Sequence, residues 1–106
     1  MPKALVFWAE SARSDLFATV DALRASAPKR AVKLMAKLVN AAQQLADFPE
    51  SGHRPLDITD DEHVRELVVE QFRLFYMHQP GSQAVQVIAV FHARRDVAEL
   101  FKGRFG

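Results

Sequence analysis

The spacing of apolar residues changes midway along this chain, and that change restricts the folds open to it. Between Glu10 and Ala46 the apolar residues recur every three or four positions; from Val64 to His92 they form strand-like runs. Ala12, Leu16, Val20 and Leu23 share one face of a helix that opens at Glu10 or Ser11. Ser26-Ala27-Pro28 predicts a stop and restart, because a proline in the first turn of a helix lacks only an N–H that would be unpaired anyway. The second helix runs to about Ala46, with Ala31, Leu34, Met35, Leu38, Ala42 and Leu45 on its apolar face. A turn this short makes the two helices an antiparallel hairpin.

Strand signals surround the hairpin. Lys3 to Trp8 is too short for a helix and rich in strand formers. Phe48-Pro49 ends the helical half, and Asp57 to His63 stays polar, as a surface loop does. Val64–Glu70, Phe72–Met77 and Ala84–His92 then read as three strands, the last two joined by a turn at Gln79-Pro80-Gly81-Ser82. The expectation is an α+β domain over residues 1–106, a helical hairpin packed on an antiparallel β-sheet in the order β-α-α-β-β-β. Residues 94–106 form a short helix or C-terminal arm whose Leu100, Phe101 and Phe105 need a surface to pack on.

Composition narrows the function classes. With 106 residues, 49% hydrophobic and 25% charged, the chain has the makings of one ordinary core. It has no cysteine, so disulfides and thiolate zinc sites are excluded. No stretch approaches the ~20 apolar residues of a membrane helix, and the N-terminus lacks a signal-peptide layout, so a cytoplasmic protein is expected. His53, His63 and His78 lack ligand spacing, no glycine-rich phosphate loop occurs, and no cofactor is expected. The net charge is only +1, but residues 1–47 carry seven Lys/Arg against four acids, and residues 48–63 one Arg against five. A local basic surface is therefore available.

Metal-free acid–base chemistry on a phosphate needs a group near neutral pKa and arginines to clamp the anion. Arg54, Arg65, Arg73, Tyr76, His92 and Arg95 are the candidates; Arg65 and Arg73 lie on neighbouring strands and could converge. Each also has a structural reading. His92, at a strand end, can serve a hydrogen bond within the fold, Arg65 can pair with Glu66 or Glu70, and Tyr76 alternates with Leu74 and Phe72 as core does. Lys29, Lys33 and Lys37, beside Arg30, make a basic stripe on the second helix that could meet nucleic acid or an acidic partner, or simply keep the helix soluble. Arg94 and Arg95 could bind a target or belong to a solvated terminus.

Several short segments, in order, resemble the RelE/ParE superfamily of toxins. They are Trp8-Ala9-Glu10-Ser11-Ala12 with Asp15-Leu16, then Leu45-Ala46-Asp47-Phe48-Pro49 with Gly52 and Arg54. Arg65-Glu66-Leu67-Val68-Val69 follows with Phe72-Arg73-Leu74-Phe75-Tyr76, and finally Val87-Ile88-Ala89-Val90-Phe91-His92 with Arg94-Arg95-Asp96. The resemblance spans about Ala4 to Asp96 and implies the toxin of a type II toxin–antitoxin (plasmid stabilisation) module, neutralised by a cognate antitoxin. It also implies one of two targets: DNA gyrase for ParE-like members, messenger RNA on the ribosome for RelE-like ones. The resemblance implies that a RelE-like nuclease would use clustered basic residues with a C-terminal tyrosine, or a glutamate with a terminal His-Tyr pair. Here no tyrosine follows Tyr76 and no lysine lies between Asn40 and Phe101, so the resemblance leans to the ParE branch. If the chain were a nuclease, Arg65, Arg73 and His92 would carry the catalysis; Arg54, Arg94, Arg95, Lys29, Lys33 and Lys37 are the candidates for binding target or partner.

Leu67, Val68, Val69 and Phe75 cannot all face the hairpin, because neighbours on a strand point to opposite sides. The far side of the sheet is thus either covered by the C-terminal arm or left apolar for a partner, which could be the antitoxin or a second copy of the chain.

Overall fold

A computed structural model describes residues 3–106. The elements are β1 (Leu5–Trp8), α1 (Glu10–Arg24), α2 (Pro28–Gln44), β2 (Val64–Val69), β3 (Phe72–Met77), β4 (Ala84–His92) and α3 (Val97–Phe105). Pro28 occupies the first turn of α2, as the restart signal required. The β2–β3 turn holds Glu70 at φ 54°, a left-handed conformation that tight hairpins need and glycine or asparagine adopts more easily. The C-terminal residues form a helix, capped by the Asp96 carboxylate accepting from the Glu99 N–H at 3.2 Å.

The four strands lie in the order β1-β4-β3-β2. Pairing is antiparallel for β2–β3 and β3–β4, as expected, but β1 runs parallel to β4, so the sheet is mixed. The reason is a matter of parity. The hairpin of α1 and α2 returns the chain to the end where β1 began, where the Ala4 N–H donates to the Ala46 carbonyl at 2.8 Å. Strand β2 therefore enters in the direction of β1, and two antiparallel steps give β4 that direction again.

The sheet separates two cores. On the hairpin side, Ala12, Leu16 and Val20 of α1 and Ala31, Leu34, Leu38 and Ala42 of α2 pack against Leu74, Tyr76, Val85, Val87 and Val90. On the other side Val64, Phe75, Ile88, Ala89 and Phe91 pack against Val97 and Phe101 of α3. A β-bulge makes both cores possible in β4. Tyr76 pairs with Val87 and Phe75 with Ala89, so Ile88 is the extra residue, and Val87 and Val90 both face the hairpin despite their odd spacing. The apolar run of β2 and β3 is thereby sorted: Leu67 and Val69 face the hairpin, Phe75 lies beneath α3, and Val68 is left 62% exposed.

Helix α3 is held from its end. Arg104 grips the Asp15 carboxylate with both terminal nitrogens, at 2.6 and 2.9 Å, and lies over the Phe91 ring at 4.9 Å. The same carboxylate accepts the Val90 N–H at 3.0 Å, covering β4 where β1 no longer reaches.

Candidate functional site

Glu66 alternates with Val64 and Val68 along β2, so its side chain points away from the hairpin. There it is 1% exposed, and a carboxylate so deeply placed must be paired. Arg73 supplies the pair: its Nε donates to Oε2 and its Nη2 to Oε1, the latter at 3.0 Å. His53 completes the enclosure, with Nε2 2.8 Å from Oε1, while its backbone exchanges two hydrogen bonds with that of Glu66. Arg73 also donates to Asp57 at 3.1 Å and lies over the Phe75 ring at 5.4 Å. Hydrogen bonding to Glu66 raises the Arg73 guanidinium above its ordinary pKa, and the bond from Arg73 holds Asp57 below the usual carboxylate value.

Arg65 does not join this group. It pairs with Tyr76 in the register, whereas Arg73 pairs with Val68, so the two arginines lie on opposite faces of the sheet. The convergence that neighbouring strands allowed does not occur. Arg65 Nη1 donates instead to the carbonyls of Gly52 and Glu50, at 2.7 and 3.2 Å. Tyr76 is fully buried; its hydroxyl accepts the Gly52 N–H at 2.9 Å, and burial raises its pKa. Gly52 fits because it has no side chain. A Cβ there would lie 2.7 Å from the Tyr76 oxygen and 2.8 Å from the Glu66 carbonyl.

His92 ends β4 on the hairpin side. Its Nδ1 accepts the Arg94 backbone N–H at 3.0 Å, which leaves the ring proton on Nε2, directed at Gln71 Oε1 3.1 Å away. The ring stands edge-on to Phe72, 5.0 Å between centroids. Arg54 is exposed and donates to the Asp60 carbonyl at 3.1 Å. Arg94 and Arg95 are exposed in the turn before α3, with no ion pair among the described residues.

A groove of about 690 Å³ opens where the hairpin leaves the β2–β3 turn uncovered. Leu23, Leu34 and Phe72 contribute apolar surface, Arg30, Lys33 and Lys37 come from α2, and Glu70, Gln71 and His92 come from the sheet. The lysine stripe thus divides. Lys33 and Lys37 line the groove and Lys29 does not, while Lys37 is paired with Glu70 at 2.5 Å. Among the described residues no group of three or more His, Cys, Asp or Glu could hold a metal ion, and no helix is long and apolar enough to cross a membrane.

Two groups escaped the sequence reading. Glu66 was marked by being an acid between two valines on a strand, which only a strong partner makes tolerable. The Asp15–Arg104 clamp joins residues 89 positions apart, and neither has a local signature.

A model of the ParE toxin of the type II toxin–antitoxin system parDE matches residues 6–97. The chain belongs to the ParE toxin family. Its fold is similar to a solved structure from the chromosomal ParDE toxin–antitoxin system of P. aeruginosa, with TM-score 0.71 and 20% identity over 87% of this chain and 98% of that one. It is also similar to a chain of the RelBE2 toxin–antitoxin complex of Mycobacterium tuberculosis, with TM-score 0.61 and 22% identity over 87% and 99%. No curated protein matches the sequence. As a ParE-family member the protein is a toxin of a type II toxin–antitoxin system, with the family's two-helix-on-sheet fold.

Proposed function

We propose that this ParE-family toxin acts by binding and not by catalysis, that its target is DNA gyrase in the cytoplasm, and that a cognate antitoxin neutralises it. The observation that supports a non-catalytic toxin is the engagement of the side chains a nuclease would need. Arg73 is committed to Glu66 and Asp57, and Arg65, on the other face, to two loop carbonyls. Both nitrogens of His92 are engaged, one by Arg94 and one by Gln71. Freeing Arg73 for a phosphate would strand the buried Glu66 carboxylate, a cost of several kcal/mol on the order of that for breaking a buried ion pair. The arginines left free for a macromolecular target are those at the surface, Arg94 and Arg95 foremost.

The test pairs two assays on purified toxin. With gyrase and supercoiled DNA, loss of supercoiling and accumulation of cleaved DNA are expected; with ribosomes primed on messenger RNA, the RNA stays intact. RNA cut on the ribosome with gyrase unaffected would establish the RelE-like alternative instead. Co-expression with the antitoxin of the same operon is expected to restore growth, the behaviour that gives such modules their role in stabilising plasmids.

A further inference from the structure

The two edges of the sheet are finished differently. Along β2 the loop after α2 closes the edge: His53 bridges Glu66, each N–H donating to the other's carbonyl, at 3.0 and 2.8 Å. Along β1 that loop reaches only the Ala4 N–H, which donates to Ala46. Beyond Ala4, alternation decides what is free. Leu5 and Ala9 donate to the Gln83 and Val87 carbonyls at 2.6 and 2.9 Å, so the odd residues face β4 and the N–H and C=O groups of Val6 and Trp8 point out of the sheet. Neither N–H has a partner among the described residues. The strand Leu5-Val6-Phe7-Trp8 carries no charge or proline to deter pairing. Its side chains are apolar on both faces: Leu5 and Phe7 are 60% and 53% exposed on one, and Trp8 lies on the other in a recess shared with Arg13 and Phe17.

We propose that β1 pairs antiparallel with β1 of a second copy of the chain, joining the two sheets into one about a two-fold axis. Hydrogen bonding fixes the register. The Ala4 N–H is taken, so the pairing that uses every outward group sets Val6 opposite Trp8 of the second copy and Trp8 opposite its Val6, each pair exchanging both bonds. Phe7 then falls on the axis and faces its own copy in a pair without hydrogen bonds, where side chains come closest. The flanks are complementary. Where the ladder runs out, Glu10 of each copy stands opposite Ala4 and beside Lys3 of the other. Glu10 has no ion pair among the described residues, and Lys3 has only an exposed contact with Asp47 at 3.7 Å. A base before the strand and an acid after it are matched twice by an antiparallel copy, whereas a parallel one sets like charge on like. Another protein's strand could use the hydrogen bonds, but register, axis and charge all close on this chain's own sequence. The contact is small, below the roughly 1,200 Å² of a stable interface, so the dimer is weak and depends on concentration.

Sedimentation of the purified full-length toxin, from about 1 µM to about 1 mM, is expected to show monomer passing to dimer. F7K sets two cations on the axis and is expected to weaken the dimer about tenfold or more; V68K, a comparably exposed change on the opposite edge, is expected to weaken it less than about threefold. E10K, which meets Lys3, is expected to weaken the dimer about threefold, and K3E/E10K to restore it. The chain has no cysteine, so F7C supplies one thiol per copy; mild oxidation is expected to link F7C into a dimer and to leave V68C unlinked, a readout independent of the charged variants. Exchange of the Val6 and Trp8 amides is expected to slow as toxin concentration rises. A toxin that stays monomeric at the highest concentration, a dimer that F7K leaves intact or V68K weakens equally, or an unlinked F7C overturns the inference. So does E10K without loss, or a loss that K3E/E10K does not recover. Amides that slow only when the antitoxin of the operon is added assign the edge to that partner and also overturn it.

Discussion

The two sides of the sheet are held by different physics. Under the helical hairpin the buried core is aliphatic and dry, made of leucines, valines and alanines from α1, α2, β3 and β4, and its one polar side chain, Tyr76, has its hydroxyl bonded to Gly52. On the other side the apolar cluster beneath α3 gives way to Glu66, Arg73, His53 and Asp57. The first side gains from area removed from water and tolerates no voids; the second depends on each charge keeping its partner. Stability without specificity would not require a buried carboxylate, since well-packed apolar residues often do as well. The polar cluster ties the loop at 53–57 to β2 and β3, whose order along the edge an apolar surface would define less sharply.

The difference can be broken experimentally, beginning on the dry side. Leu38 is fully buried in the middle of α2, and L38A should cost about 4 kcal/mol, read as a fall in denaturation midpoint with an unchanged slope. On the polar side R73A should cost about 3 kcal/mol because it strands Glu66, whereas the double variant E66L/R73M should cost less than R73A alone. If the double variant is the worse, the ion pair is a net source of stability and the contrast between the faces is smaller than argued. G52A comes next, at about 1–3 kcal/mol, because the Tyr76 ring and the Glu66 carbonyl cannot both retreat from the new methyl group.

The smallest effect is a pH dependence on the dry side. Burial raises the Tyr76 pKa above its ordinary 10.0, so the folded chain keeps the phenolic proton after the unfolded chain has begun to lose it. The contribution is complete below pH 10 and is lost as pH rises from there through the folded-state value. Tyr76 is the sole tyrosine, so tyrosinate absorbance reports it alone. Its appearance should coincide with unfolding; ionisation near pH 10 in a chain that stays folded would show that the hydroxyl is not sealed.

Most of the architecture was legible because it follows from local pattern. Ala12, Leu16 and Val20 repeat at helical spacing, and Pro28 marks the restart; both elements stand within a residue or two of expectation. The parallel pairing of β1 was not legible from any segment, since it depends on where α2 returns the chain. The site was less visible than the fold. Arg65 and Arg73 are eight residues apart across a hairpin, and their faces are set by the two-residue turn at Glu70-Gln71 that fixes the register. The stripe of lysines was visible at helical spacing, but its division into Lys33 and Lys37 inside the groove and Lys29 outside depends on how α2 lies against the β2–β3 turn.

The parallel step has a consequence for synthesis. Leu5 finds its partner at Ala84 and Trp8 at Val87, so the first strand made must wait for the last one. Until residue 87 has cleared the ribosome, β1 has no neighbour and the hairpin has only part of the sheet it packs on. The pairing closes a loop of nearly eighty residues, the kind of distant contact that slows folding. A polypeptide that stalls before β4 therefore carries the helical hairpin and three strands yet lacks the central strand that joins β1 to β3.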